Sequence, residues 1–190
     1  QHTAHFRADQ PDGDFFDPKP PKSLGRRVLL ILLALIVAVL LINVVVNQFV
    51  RVDRVTVPIR KMDSAFEGYT LLHISDLKGL LFGKDQQFIR FALRDAQFDA
   101  VVMTGDMVSS RGNAQPLYEL IEVLRELNPD APIYMIPGDR DPLPASMSYA
   151  TGGSPFAPWI LGAQQRGAQL LSSPQLIERD GHSLWLTTSA

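Results

Sequence analysis

Three aspartates, each following a short apolar run of the chain, could together hold a metal ion. They are Asp76, Asp106 and Asp139. If the apolar runs are neighbouring parallel strands, their carboxyl ends meet at the edge of the sheet where α/β proteins bind ligands. Carboxylates gathered there repel each other unless cations lie between them, and their oxygens are good ligands for divalent ions. Each aspartate, taken singly, could instead cap the helix that follows its strand.

The runs that precede the aspartates have the composition of buried parallel strands. They are YTLLHI at 69–74, DAVVM at 99–103 and IYMI at 133–136, and glycines follow the last two at Gly105 and Gly138. Short, almost continuously apolar runs are typical of parallel strands that are covered on both faces. The sequence therefore places all three aspartates at the ends of strands in one sheet.

Helical patterns lie between these strands. Residues 85–97 place Phe88, Phe91 and Ala92 on one face of a helix. Residues 115–128 place five apolar side chains on one face, namely Leu117, Leu120, Ile121, Leu124 and Leu127. Spacings of three and four residues are typical of amphipathic helices. The alternation of strand and helix predicts an α/β fold with a layered sheet.

Segments outside this alternation predict further elements. Residues 52–59 alternate apolar and polar side chains and predict an outer strand. Residues 138–158 are rich in Pro and Gly and predict a long loop of the kind that often borders an active site. A helix is predicted over 158–167, followed by short strands near Gln169, Gln175 and Leu184.

The short sequences around the three aspartates resemble the first three motifs of the calcineurin-like metallophosphoesterases. LLHISDLKG, VVMTGDMVSS and MIPGDRD stand where that family has D-x-H, G-D-x-x-D and G-N-H-D or E, and the likeness covers about residues 50–190. The resemblance implies a layered β-sandwich flanked by helices. It also implies phosphoester hydrolysis by two metals that activate a bridging hydroxide. On this resemblance Asp76 and Asp106 correspond to metal ligands.

Several motif positions carry a different residue type from the family. Lys78 stands at the histidine of the first motif, and Ser109 at the final aspartate of the second. In the third motif Asp139 replaces the asparagine and Arg140 replaces the histidine that contacts phosphate, while Asp141 matches the last position. Aspartate can still offer an oxygen to a metal, but a charged ammonium cannot ligate one.

The later histidine motifs of the family have no counterpart in this sequence. The chain has four histidines, namely His2, His5, His73 and His182. We expect His73 to be a core residue of its strand and His182 to follow a turn at Asp180-Gly181. Since the missing ligands would come after Ala190, we expect residues 48–190 to be an incomplete metallophosphoesterase-like domain. We expect its open sheet edges to be covered either by further chain or by a protein partner, and the degenerate site favours the partner.

The substitutions predict a degenerate site with a binding or structural role and no cofactor. In this interpretation Lys78 and Arg140 neutralise Asp76, Asp106, Asp139 and Asp141 as metals would. If the ionic cluster replaces metals, Lys78→Ala should destabilise the domain by about 3–5 kcal/mol, because removing one partner leaves a buried charge uncompensated.

Two other functions remain open. In an active phosphoesterase, Asp76, Asp106 and Asp139 would hold a single Mn, Fe, Zn or Mg ion, and Arg140 would be the catalytic residue that grips phosphate. Its substrate would be a phosphomonoester or a phosphodiester. In an anion or lipid-headgroup binder, Lys78 and Arg140 would act without chemistry.

A membrane segment precedes the domain. Residues 28–46 read VLLILLALIVAVLLINVVV, and a helix of that length spans about 28 Å, close to the bilayer core of about 30 Å. We predict a single-pass transmembrane helix over 28–47 that lies in the lipid bilayer, after a disordered tail over 1–27. Four basic residues precede the helix and four follow it, so their count alone does not orient it; they are Lys19, Lys22, Arg26 and Arg27, and Arg51, Arg54, Arg60 and Lys61. Because Arg26 and Arg27 adjoin the helix, the N-terminus is predicted inside and the C-terminal domain extracytoplasmic.

Composition excludes some classes of function. The chain has 18 Lys and Arg against 20 Asp and Glu, a net charge of −2, which argues against a general nucleic-acid binder. It has no cysteine, which excludes disulfides, thiolate metal sites and cysteine nucleophiles from this sequence.

Overall fold

The computed structural model describes residues 24–46, 48–145 and 154–188. The chain divides into an N-terminal unit that ends at Asn47 and a second unit that begins at Gln48. The first unit contains helix α1, Leu24–Val46, with 23 residues and a mean hydropathy of 3.4 over its most apolar window. By length and composition α1 could cross a membrane, and a signal sequence near an N-terminus would meet the same criterion.

A parallel sheet forms the centre of the second unit. Its strands are β1 (Leu71–Ile74), β2 (Ala100–Thr104), β3 (Ile133–Ile136) and β4 (Ala168–Leu170), in the spatial order β1-β2-β3-β4. All three pairings are parallel. The apolar runs at 69–74, 99–103 and 133–136 therefore do form neighbouring strands, and the predicted strand near Gln169 is β4.

Three helices accompany the strands in the second unit. They are α2 (Gln87–Leu93), α3 (Gln115–Leu127) and α4 (Pro158–Gln165). Short 3-10 helices occupy Ser64–Phe66 and Lys84–Gln86. One face of the sheet packs on α2, α3 and α4 in the main hydrophobic core, to which Met103, Met135 and Ile160 contribute fully buried side chains.

Helix α3 follows its predicted amphipathic pattern. Leu117, Leu120, Ile121 and Leu124 are almost completely buried, and Leu127 is packed at the margin of the core. The helix begins and ends within one residue of the predicted bounds, because Pro116 is favourable in its first turn and the apolar spacing stops at Leu127.

The predicted buried face of the preceding helix is wrong. Phe91 is 64% exposed and Phe88 is exposed, whereas Ile89 and Leu93 are buried. The helix is also shorter than predicted, because Asp85 and Gln86 have left-handed backbone angles that separate it from the residues before it. Gln86 is fully buried and its amide donates to the backbone oxygens of Leu80 and Pro116, which fixes that kink.

An antiparallel hairpin covers the other face of the parallel sheet. It consists of β5 (Gln175–Arg179) and β6 (His182–Leu186), which are joined by the predicted turn at Asp180-Gly181 with positive φ at both residues. Ile177 packs there with Tyr134 of β3 in a second, smaller core. The structure is therefore α/β, with helices on one face of a parallel sheet and a small second sheet on the other.

Two further sequence predictions are wrong. Residues 52–59 form neither a strand nor a helix, and every residue of this segment is exposed. Pro58 lacks the N–H that a strand interior would donate, which disfavours pairing. His73 is exposed on β1 instead of buried, and its Nε2 hydrogen-bonds the hydroxyl of Thr104 on β2. The predictions for residues 1–23, with His2 and His5, and for 146–153 lie outside the described residues.

Candidate functional site

Three loops follow the carboxyl ends of β1, β2 and β3, and they carry all the predicted site residues. We call residues 75–79, 105–109 and 137–141 the strand-end loops. Backbone hydrogen bonds join the first two: the Asp76 N–H donates to the Gly105 oxygen at 3.2 Å, and the Lys78 N–H donates to the Asp106 oxygen at 2.7 Å. The parallel strands thus bring the motif residues of separate segments to one edge of the sheet.

The second and third strand-end loops approach so closely that a side chain would not fit between them. A Cβ at Gly138 would lie 2.4 Å from the Asp106 nitrogen, and one at Gly105 would lie 2.7 Å from the Gly138 Cα. Gly105 also has a φ of +88°, which favours glycine. Gly105 and Gly138, which the sequence placed after the strands, are therefore required because the backbones of the two loops are in direct contact.

Asp76 and Lys78 form an ion pair within the first strand-end loop. Lys78 Nζ lies 3.0 Å from Asp76 Oδ1, and the Ser75 hydroxyl donates to Asp76 Oδ2 at 2.9 Å. The hydrogen bond from Lys78, followed by that from Ser75, holds the pKa of the Asp76 carboxyl below its ordinary value. Both side chains of the pair are about half exposed, so the expectation of a buried cluster is wrong here.

Asp106 and Arg140 connect the second and third loops. The Asp106 side chain is only 14% exposed, and its Oδ1 accepts a hydrogen bond from the Arg140 backbone N–H at 3.3 Å. The Arg140 guanidinium lies 3.9 Å from Asp106 Oδ2 and is 71% exposed. The guanidinium is thus held loosely, with most of its donors directed to solvent.

Asp141 bonds to the backbone and not to a cation. The residue is buried, its Oδ1 accepts from the Val108 N–H at 2.7 Å, and its Oδ2 accepts from the Gly138 N–H at 2.8 Å. It therefore joins the second and third loops directly. The sequence analysis grouped Asp141 with the carboxylates that Lys78 and Arg140 neutralise, and its bridging of two loops was not predicted.

The other predicted positions contribute less. Asp139 is exposed, and within the described residues its carboxylate has no hydrogen bond or ion pair. Ser109, at the family's aspartate position, accepts a hydrogen bond from the Asn113 N–H at 3.0 Å and so stabilises the turn before α3. His182 lies away from the strand-end loops, where its Nδ1 is 2.8 Å from Asp63 Oδ2.

The side chains of the strand-end loops do not fit a metal centre as they are arranged. Among residues 24–46, 48–145 and 154–188 there is no group of three or more His, Asp or Glu side chains that could hold a metal ion. Asp76 is bonded to an ammonium, and both oxygens of Asp141 are used by backbone N–H groups. A metal would have to displace these partners before it could bind.

A second polar cluster, which the sequence did not predict, lies where β2 begins. Asp99 Oδ2 accepts from the Thr70 N–H at 2.7 Å, and Arg179 of β5 lies 3.9 Å from Asp99 Oδ1. The Arg179 guanidinium also lies 5.7 Å from the centre of the Tyr69 ring. Burial raises the pKa of Tyr69, with the Asp99 charge as the next cause. These contacts hold the hairpin on the sheet.

Comparison of the chain with protein-family models, with curated proteins and with solved structures gave no match. The resemblance to the metallophosphoesterases stays a prediction from the three sequence motifs.

Proposed function

We propose that this chain is a membrane-anchored, metallophosphoesterase-like protein with a degenerate metal site and a binding or structural role. Lys78 and Arg140 provide the positive charge that metals provide in that family. The observation that carries the proposal is the 3.0 Å ion pair between Lys78 Nζ and Asp76 Oδ1. It uses an oxygen of the first motif's aspartate, which a metal would need.

The electrostatics of the loops support this proposal. A carboxylate that is already neutralised by an ammonium gains less from a cation, and the ammonium repels an arriving metal. The same reasoning applies across the second and third loops, where the Arg140 guanidinium lies beside Asp106. Arginine stays protonated at any physiological pH, so its charge is permanent.

The backbone of the loops also fits descent from a functional site. Asp76, Lys78 and Asp106 all have positive φ, between 53° and 58°. Such conformations are uncommon for residues with a Cβ and cluster at functional sites. We interpret them as the loop shape of a metal site that has kept its backbone and changed its ligands.

The anchor in this proposal is α1, in a single-pass arrangement with residues 48–190 outside the cytoplasm. Its length and apolar composition support a membrane span. Arg26 and Arg27 support a cytoplasmic N-terminus by the positive-inside rule. A protease added to intact cells should then cleave after Arg51, and protection until lysis would reverse the orientation.

The protein partner in this proposal would cover apolar surface of the hairpin. Leu176 and Trp185 lie opposite each other in the β5–β6 register and are 42% and 61% exposed. Aromatic residues are enriched in protein interfaces. The pair is thus a suitable surface for a partner in a membrane complex.

Metal retention and phosphodiester hydrolysis test the proposal. The full chain, purified in detergent micelles, would be incubated with Mn²⁺ or Zn²⁺, desalted and submitted to elemental analysis. We expect far less than one ion per chain and no turnover of a generic phosphodiester. The control is Asp130→Asn, which removes an exposed carboxylate outside the strand-end loops.

A working enzyme would give a different set of results. Retention of about two ions per chain, as in two-metal sites, would refute the degenerate site. Hydrolysis that Asp106→Asn abolishes and Asp130→Asn preserves would do the same. A single retained ion with such hydrolysis would favour the mononuclear phosphoesterase with Arg140 at the phosphate.

A further inference from the structure

The segment from Arg51 to Lys61 combines exposed apolar side chains with basic ones. We call it the basic-apolar segment. Its sequence is RVDRVTVPIRK, with four basic residues and one acidic residue. Val55, Val57 and Ile59 occur at every second position, the spacing that places side chains on one face of an extended chain. Arg54 and Arg60 fall in the alternate positions, which belong to the opposite face.

The apolar side chains of this segment are exposed to a degree that is unusual for their type. Val55 is 81%, Val57 is 69% and Ile59 is 57% exposed. All eleven residues from 51 to 61 are exposed, so the described part of the chain leaves the whole segment accessible. Contiguous apolar surface of this kind marks a site of interaction with a protein or a membrane.

The charges of the segment are largely unpaired. Arg51 forms an ion pair with Asp53 at 2.7 Å. Within the described residues no carboxylate lies within ion-pair distance of Arg54, Arg60 or Lys61. The segment thus keeps three uncompensated positive charges, which are complementary to an anionic surface and not to a basic or apolar partner.

The position in the chain favours a lipid surface as the partner. Only four residues lie between Val46, the last residue of α1, and Arg51, and the five steps of an extended chain between them span at most about 17 Å. If α1 spans the bilayer, the first basic residues must lie near its surface. Pro58 argues against the alternative of strand pairing with a protein, because it removes a backbone donor from the middle of the segment.

We propose that residues 51–61 lie on the anionic surface of the membrane that α1 enters. Val55, Val57 and Ile59 insert at the headgroup and acyl boundary, and Arg54, Arg60 and Lys61, whose long side chains can bend back past the backbone, bind lipid phosphates. Basic clusters next to a membrane helix bind anionic lipids in this way. This inference rests on the membrane anchoring in the proposed function, but not on the state of the strand-end loops.

Site-specific labelling can test this contact because the chain has no cysteine. The full-length Val57→Cys variant would carry an environment-sensitive fluorophore and be reconstituted in nanodiscs of phosphatidylcholine, with or without phosphatidylglycerol. We expect a blue-shifted emission and slower quenching by iodide only when phosphatidylglycerol is present. Raising the salt from about 0.1 M to about 1 M shortens the Debye length from about 10 Å to about 3 Å and should reverse the shift.

Two controls separate this contact from general effects of the nanodisc. Leu143→Cys carries the label on an apolar residue that is 75% exposed and outside the segment, and its emission should not depend on phosphatidylglycerol. The triple change Arg54→Gln, Arg60→Gln and Lys61→Gln in the Val57→Cys variant should abolish the shift.

Either of two results would overturn the inference while the chain remains in the nanodisc. Emission typical of water in both lipid mixtures would show that the segment stays in solvent. A label that is shielded equally in both mixtures, whatever the charges, would show that a protein surface covers it. Failure of the chain to enter nanodiscs at all would instead refute the membrane anchor of the proposed function, and this inference with it.

Discussion

The loop after β1 and the loop after β3 both place aspartates at the same edge of the sheet, but they use them differently. Asp76 is exposed and pairs with Lys78 of its own loop. Asp141 is buried and accepts hydrogen bonds from the backbones of the second and third loops. The first carboxylate is neutralised locally, whereas the second holds two segments together.

The position of a carboxylate in a motif therefore does not decide what it contributes to stability or to charge. A buried acceptor is expensive to remove, because its donors are left without partners. An exposed ion pair contributes little to the free energy of unfolding, since water solvates both charges when they separate. The stability of this edge should therefore depend on Asp141, and its electrostatic character on Lys78 and Asp76.

The largest effect is expected from Asp141→Ala. The change leaves the N–H groups of Val108 and Gly138 without their acceptor, and we expect a loss of about 2–4 kcal/mol and a fall in Tm of about 5–15 °C. Thermal unfolding in detergent can be followed by the fluorescence of Trp159, which is buried. The exposed Asp139→Ala is the control, and an equal effect of both changes would contradict the comparison.

A smaller loss is expected from Gly138→Ala. The added Cβ would overlap the Asp106 backbone nitrogen, so the second and third loops must separate, and overpacking of this kind costs about 1–3 kcal/mol. In Gly162→Ala the three atoms nearest to the added Cβ all belong to the Tyr118 side chain. A side chain can move where a backbone cannot. We therefore expect Gly162→Ala to lower Tm less, and the reverse order would show that the loops are not in tight contact.

The smallest change in stability is expected from Lys78→Met. Loss of the hydrogen bond should raise the pKa of Asp76 towards the ordinary aspartate value while Tm hardly changes. A carboxyl whose pKa is lower in the folded than in the unfolded protein stabilises the fold at pH values above its unfolded pKa, about 4. That stabilisation is lost as the pH falls through the pKa of the folded protein. In Lys78→Met that acid-side loss should be smaller, because only the hydrogen bond from Ser75 and the more distant Arg140 charge still lower the pKa of Asp76.

Carboxyl-carbon NMR across an acid titration measures this pKa. Lys84→Met is the matched control, since Lys84 Nζ lies 4.0 Å from Asp85 on an exposed surface. An Asp76 pKa that is the same in the native protein and in Lys78→Met would show that the ion pair does not form in solution.

The sequence correctly predicted the helices, strands and turns whose local residue pattern agrees with the way they pack in the fold. The strands before Gly105 and Gly138, the helix over 115–127 and the turn at Asp180-Gly181 all have such patterns. Turn residues with positive φ and continuous apolar runs depend little on distant contacts, so they can be read without the fold.

The errors arise where a distant contact decides the outcome. The face of α2 was misassigned because the kink at Gln86 depends on its bonds to Pro116, thirty residues away. The exposure of His73 depends on how much of the sheet the hairpin covers, and the spacing of apolar residues in the sequence does not indicate that. The bridging role of Asp141 required the positions of two loops that only the folded sheet defines.

The most direct test of the degenerate metal site is whether the carboxylates of Asp76 and Asp106 bind a metal ion. Zn²⁺ would be titrated into the full chain in detergent while the carboxyl-carbon resonances of both residues are recorded by NMR. We predict that neither resonance moves at stoichiometric Zn²⁺ in the native protein, because Lys78 and Arg140 already neutralise these carboxylates. Saturable shifts of both resonances at stoichiometric Zn²⁺ would contradict it and establish a metal site at the strand-end loops.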